Sequence, residues 1–219
     1  VNAPPRNGDA AATTGLAAKL AAQTRALHRE AESAGVMRDL LAGRVTRDRY
    51  VALLANLHPI YLALERALVR HAVHPAVAPI RLPGLARADA LARDLAALAP
   101  GRVAPTPAAA TRMYVARIEE LDATWPAGLV AHAYVRYLGD LSGGRIVGDR
   151  VRKALALASG AGLEFYDYGA GFDVPGAKAR FRAALDALPL TAKDVEAVVA
   201  EAVEAFRRHV AMFEALDDA

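Results

Sequence analysis

Apolar residues recur at helical spacing along nearly the whole chain. Runs of alternating apolar and polar residues, the mark of half-buried strands, are almost missing. Leu16, Leu20, Leu27 and Ala31 mark one face of a helix predicted from Thr14 to Ala34. A short helix follows over Val36–Leu41 and stops at Gly43. Thr46 then caps a long helix to about Arg70, with Tyr50, Leu53, Leu54, Leu57, Tyr61 and Leu64 as its apolar positions. Pro59 sits inside it and predicts a kink. Further helices are predicted over 86–98, 108–122 and 127–157, followed by a loop at 166–176. Thr191 opens the last helix, with Asp194 placed to complete a capping box. The expectation is an all-α fold in a single domain over 14–219, behind a flexible leader at 1–13.

Composition agrees with this reading. Roughly a quarter of the 219 residues are Ala, and Leu and Arg are abundant, all good helix formers. With 54% hydrophobic and 23% charged residues, the chain has the composition of a globular domain. It has no Cys, which removes disulfides, iron–sulfur clusters, thiolate-ligated zinc and Cys nucleophiles. No apolar run reaches the length that crosses a bilayer, and the start lacks a secretory signal's apolar stretch. A cytoplasmic address without a membrane anchor is expected. The net charge of +3 does not argue for a nucleic-acid partner.

Chemistry concentrates in two places. The segment GLVAHAYVRYLGDLSGGRIVGDRVRKAL holds Gly139, Gly143, Gly144 and Gly148 inside a helical pattern. An interior Gly costs about 1 kcal/mol relative to Ala, so four need a reason. Close helix packing, a Gly–Gly turn, or backbone lying flat against a large ligand would each supply one. Arg136 and Asp140 are four apart and can share a face, as a surface ion pair or at a pocket rim. Upstream, His28 and Glu32 have the same spacing, which suits a metal-ligating imidazole held by a carboxylate or an ordinary surface pair. LLAGRVTRDRYVALL passes for a helix-turn-helix, and two antiparallel helices explain it equally simply.

Together these segments resemble the haem oxygenases. YLGDLSGGRIVGDRVRKAL is similar to their distal-helix signature and TRALHREAESAGVM to their proximal one. NLHPIYLALE and AFRRHVAMFEAL resemble two further family segments, in the same order, over about residues 16–216. The resemblance implies a helical bundle with a kinked Gly-rich distal helix. It implies haem as both cofactor and substrate, O2 as co-substrate, and products biliverdin, carbon monoxide and ferrous iron.

Residue by residue, the resemblance makes His28 the axial iron ligand and Glu32 its orienting partner. Gly139, Gly143 and Gly144 match backbone against the distal haem face. Asp140 matches the carboxylate that organises distal water, with Tyr61 and Arg136 in the same network. Tyr134, Lys178 and Arg182 match propionate contacts, and Ser142 joins them as haem-binding. His209 stands where relatives often carry Asn. Ala21 occupies the place of a basic propionate contact, with Lys19 two residues away, and Arg145 replaces a frequent Gln. The chain has no flavin or iron–sulfur motif of its own, so electrons are expected from a ferredoxin, flavodoxin or reductase. A monomer is expected. A haem-storage bundle on the same fold and a DNA-binding regulator using residues 37–55 remain as alternatives. The thiaminase-like relatives of this fold use a Cys nucleophile, which this chain lacks.

Overall fold

The computed structural model describes residues 15–103, 105–157 and 160–217. The leader expected over 1–13 lies outside them. All regular structure among the described residues is helical: α1 (Leu16–Ser33), α2 (Gly35–Leu41), α3 (Arg47–Arg70), α4 (Ala88–Leu98), α5 (Ala109–Thr124), α6 (Leu129–Ala133), α7 (Gly139–Ala154), α8 (Val174–Asp186) and α9 (Ala192–Glu214). One wider π-helical turn, Tyr134–Leu138, joins α6 to α7, so 129–154 is a single irregular rod.

The boundaries fall where side chains satisfy the free ends of helices. Thr46 accepts the Arg49 N–H at 3.3 Å, and Thr191 and Asp194 form the reciprocal capping box. The predicted loop at 166–176 ends early because Asp173 accepts the Gly176 N–H at 2.9 Å, and Pro175 fits a first turn that needs no N–H there. No side chain of its own caps α1. Asp186, at the end of α8, does so instead by accepting the Ala17 N–H at 2.8 Å.

Helix α3 is the axis of the bundle. Every residue from Tyr50 to Leu57 is buried, with α4 and α5 packed alongside. A recognition helix needs a free face for the major groove, and this stretch of α3 has none. The helix runs continuously across Pro59. Helix α9 lies against α1, α5 and α6. Leu20, Leu53, Leu54 and Phe213 are shut away from water, each contributing about 1.5–3 kcal/mol by burial.

The turn from α1 into α2 requires glycine. Gly35 has φ +43°, and a Cβ there would lie 2.0 Å from the Phe213 carbonyl oxygen on α9. Gly35→Ala is expected to lower stability by about 3 kcal/mol, from left-handed strain and from α9 being pushed away. Urea unfolding of the two proteins measures it.

Candidate active site: a cleft between a histidine helix and a glycine helix

Helix α1 and the 134–154 rod form the two walls of a mainly apolar cleft, and α9 closes it with Phe206, His209 and Phe213. From α1 come His28 and Glu32. From the opposite wall come Arg136, Gly139, Asp140, Gly143 and Gly144. The sequence thus brings its two chemical segments face to face.

The His28 side chain is about half exposed, and its Nδ1 lies 3.6 Å from Glu32 Oε1. That is just beyond hydrogen-bond length, close enough for the carboxylate to favour a proton on Nδ1. Nε2 has no hydrogen-bond partner among the described residues. Phe206 packs beside the ring, 6.1 Å between centroids.

The glycines divide by what surrounds them. A Cβ on Gly148 would come within 2.9 Å of Tyr166, so that glycine serves packing. Among the described residues, a Cβ on Gly143 would meet nothing within 4 Å, and one on Gly139 only the Arg136 guanidinium at 3.9 Å. Gly144 would make ordinary contact with Tyr166 at 3.5 Å. Close helix packing therefore explains Gly148 and leaves Gly139 and Gly143 unexplained by any contact among the described residues. They present bare backbone to the cleft. A Gly–Gly turn is absent as well: α7 stays α-helical through Gly143 and Gly144, and the irregular turn precedes Gly139.

That wide turn also separates Arg136 from Asp140. An i,i+4 pair lines up on an α-helix but is rotated apart across a π turn. The two side chains form no ion pair within 4 Å; each finds another partner. Tyr61 donates its hydroxyl to Asp140 Oδ2 at 2.5 Å. Arg136 Nη1 sits 2.9 Å from Nδ1 and 3.1 Å from Nε2 of His209. Burial, reinforced by the Arg136 charge, holds the His209 imidazole well below its usual pKa, so a neutral ring accepts from the guanidinium. The Arg136 Nε is buried without a partner. Burial also lifts the Asp140 carboxyl to about 6, against the opposing pull of Arg136 and the Tyr61 hydrogen bond. A carboxyl poised there exchanges protons readily near neutral pH.

The other site candidates do not line the cleft itself. Tyr61 lies behind Asp140, fully buried. Tyr134 is buried against α1, its hydroxyl 3.3 Å from Thr24 Oγ1. Burial raises its pKa, opposed by that contact and by the nearby Arg182 charge. Lys178 is half-buried, and Arg182, Ser142 and Lys19 are exposed. Sequence reasoning assigned a loop at 166–176 but gave no role to the stretch that leads into it, 162–166, which backs the glycine helix. Asp94 on α4 accepts the N–H groups of Glu164 and Phe165 at 2.8 Å each, and Tyr50 donates to the Gly162 carbonyl at 2.9 Å. These bonds hold Phe165 and Tyr166 against the cleft. The adjacent aromatics in a Gly-bounded loop were the signal available.

Known proteins place this arrangement. The family model described as "Heme oxygenase" matches residues 14–215. The chain is 38% identical over 208 residues to "Heme oxygenase" of Porphyra purpurea, covering 92% of this chain and 86% of the relative. It is 39% identical to "Heme oxygenase 1" of Homo sapiens, covering 93% of this chain and 72% of the relative. Among solved structures, heme oxygenase-1 of the cyanobacterium Synechocystis sp. PCC6803 in complex with heme matches with a TM-score of 0.89 at 34% identity, over 93% of each chain. Heme oxygenase of Leptospira interrogans matches with a TM-score of 0.87 at 34% identity, over 91% of this chain and 98% of that one. With an open imidazole facing bare glycine backbone and a family match across nearly its whole length, this chain belongs to the haem oxygenase family.

Proposed function

We propose that this chain binds haem in the cleft and opens its ring at a meso carbon, yielding biliverdin, carbon monoxide and ferrous iron. The observation that carries the reading is the Gly139–Gly143 backbone, which no side chain covers among the described residues and which faces His28 across the cleft. A flat macrocycle fits between an imidazole and a wall without side chains. Haem, when bound, supplies the iron that activates dioxygen and is itself the molecule oxidised.

The chain's residues do the rest. His28 would hold the haem iron through its open Nε2, with Glu32 placed at Nδ1 to keep the ring in its ligating tautomer. Gly139, Gly143 and Gly144 let the backbone approach closely and keep acidic and basic side chains off the reacting oxygen. Asp140 holds a proton and passes it through water, while Tyr61 fixes its carboxylate. Arg136, tethered by neutral His209, supplies positive charge beside that water. Tyr134, Lys178 and Arg182 bind the propionates, with Ser142 at the rim and Lys19 near enough to serve in place of Ala21. Electrons come from an external donor, a ferredoxin, flavodoxin or reductase, and the exposed Arg residues suit an acidic one. The protein works as a cytoplasmic monomer.

Titration with hemin, followed by ascorbate in air with catalase present, tests this. A saturable Soret band that decays as a red-absorbing bilin appears is the expected outcome. A band that persists under ascorbate and under a ferredoxin–reductase pair would leave a haem-binding bundle, and no specific band would remove both readings.

A further inference from the structure

The two walls of the cleft set the height and tilt of a flat guest but not its rotation in its own plane. That rotation is set by whatever touches its rim. Rim residues come from the elements that join the walls: α9, the 162–166 stretch, and α2, which packs on α1, α7 and α9 at once. From α2, Met37 and Leu41 line the cleft, about one helical turn apart.

Helix α2 cannot hold that place alone. It has seven residues and no side chain caps its start. A helix so short is unstable by itself. One side of it is packed through Val36 and Leu40, both fully buried. Another is tied by charge. Asp39 stands two residues from both Met37 and Leu41, about 200° round the helix and so turned away from the cleft. Arg49, in the first turn of α3, donates Nη1 to Asp39 Oδ2 at 2.5 Å. Its Nη2 donates to the Leu216 carbonyl at 3.2 Å and to Asp217 Oδ1 at 2.9 Å, just past the end of α9. One guanidinium thus bridges α2 and α9. The Arg49 and Asp39 side chains are 19% and 17% exposed, so water and salt screen the tie less than a surface pair. Around it, Arg44 also bonds Asp39, at 3.0 Å, and Arg38 makes a looser, exposed contact with Asp217 at 3.6 Å.

We infer that Arg49 is a positioning residue for the porphyrin: by tying α2 to the end of α9 it fixes the edge of the cleft formed by Met37 and Leu41, and with it the meso carbon presented for attack. The inference rests on the proposed function. Arg49 does not line the cleft and acts only through α2.

The test reads Met37 directly. The chain has three methionines, Met37, Met113 and Met212, so methyl labelling gives three NMR lines, and Met37→Leu assigns the first. Zinc protoporphyrin loads the cleft without turning over, and its ring current shifts the Met37 line. Arg49→Leu removes the tie and keeps a good helix former. In the loaded variant the Met37 shift is expected to shrink or split, while the line of exposed Met113 stays in place. Zinc protoporphyrin should pass to an apomyoglobin trap about fivefold faster, the worth of one hydrogen bond. With hemin, a second bilin isomer should appear beside that of the parent. A loss of global stability alone moves none of these while the variant stays folded. Arg49→Lys keeps the charge, but one ammonium reaches only one side of the tie. It should fall between parent and Leu variant, and it carries the test if the Leu variant does not fold. An unchanged Met37 shift and release rate would overturn the inference even if both proteins form bilin. A displaced Met37 with an unchanged bilin isomer would overturn the link to the meso carbon. A displaced Met37 and faster release, with no bilin from the parent, would overturn the functional reading and keep Arg49 as a positioner of porphyrin. No porphyrin uptake by the parent would overturn both.

Discussion

Asp140→Ala should still take up haem and should form bilin at least 100-fold more slowly than the parent. The carboxyl is half-buried in the cleft wall, takes the Tyr61 hydroxyl at 2.5 Å, and is lifted by burial to about 6. It contributes little apolar surface, so removing it leaves the binding cleft intact. What disappears is a proton carrier matched to neutral pH, an effect of about 10²–10⁴ in rate. Soret titration and single-turnover bilin formation separate the two. Asp140→Asn adds a stability readout, because the amide keeps the shape and can still accept from Tyr61. A carboxyl whose pKa is raised on folding contributes stability below its unfolded value, near 4, and loses it as pH rises through about 6. The Asn variant should therefore match the parent below pH ~4 and exceed it by about 3 kcal/mol above pH ~7 in the ligand-free state. Urea unfolding at both pH values checks the sign.

Gly143→Leu should fold as well as the parent and lose haem. A Cβ at Gly143 would meet nothing within 4 Å, and its backbone is helical, so the ligand-free protein has room for the side chain. Leu is also the better helix former by somewhat under 1 kcal/mol. The same side chain would occupy the space assigned to the macrocycle, so affinity should fall by at least 100-fold. The control is Gly148→Leu, where a Cβ already crowds Tyr166 at 2.9 Å. That substitution should lower the melting temperature. Loss of binding without loss of stability at 143, and the reverse order at 148, would separate the two glycine roles.

Much of this was legible in the sequence because helix caps are local. Thr46, Thr191 and Gly43 announce their boundaries within four residues. The pairing of His28 with the glycine segment was legible only through resemblance. Nothing in spacing says that two helices more than a hundred residues apart face one another. The π turn was not legible, since it arises where helix packing overrides the α register, and it explains why Arg136 meets His209 in place of Asp140. Equally hidden was the cap that α8 lends α1 through Asp186, a contact 169 residues apart in the chain. The solvated-pair reading of Arg136 fails for a tertiary reason: the residue is 7% exposed because α9 covers it.

The glycine helix packs on α2, on α8 and on the loop behind it, and is bare along the stretch that faces the cleft. Behind it, Asp94 and Tyr50 clamp the 162–166 loop to α4 and α3, and Tyr166 wedges against Gly148. In front, a Cβ on Gly139 or Gly143 would meet no residue outside 134–154 among those described. A beam clamped along its back yields toward its free side. The stretch without side chains toward the cleft has least to restrain it there, so the occupant bears on it directly. A rigid planar guest would prop it straight, whereas an opened, non-planar tetrapyrrole could not. The wall would then sag as the ring is cut, and the product would be pushed out by the relaxation that its own formation permits.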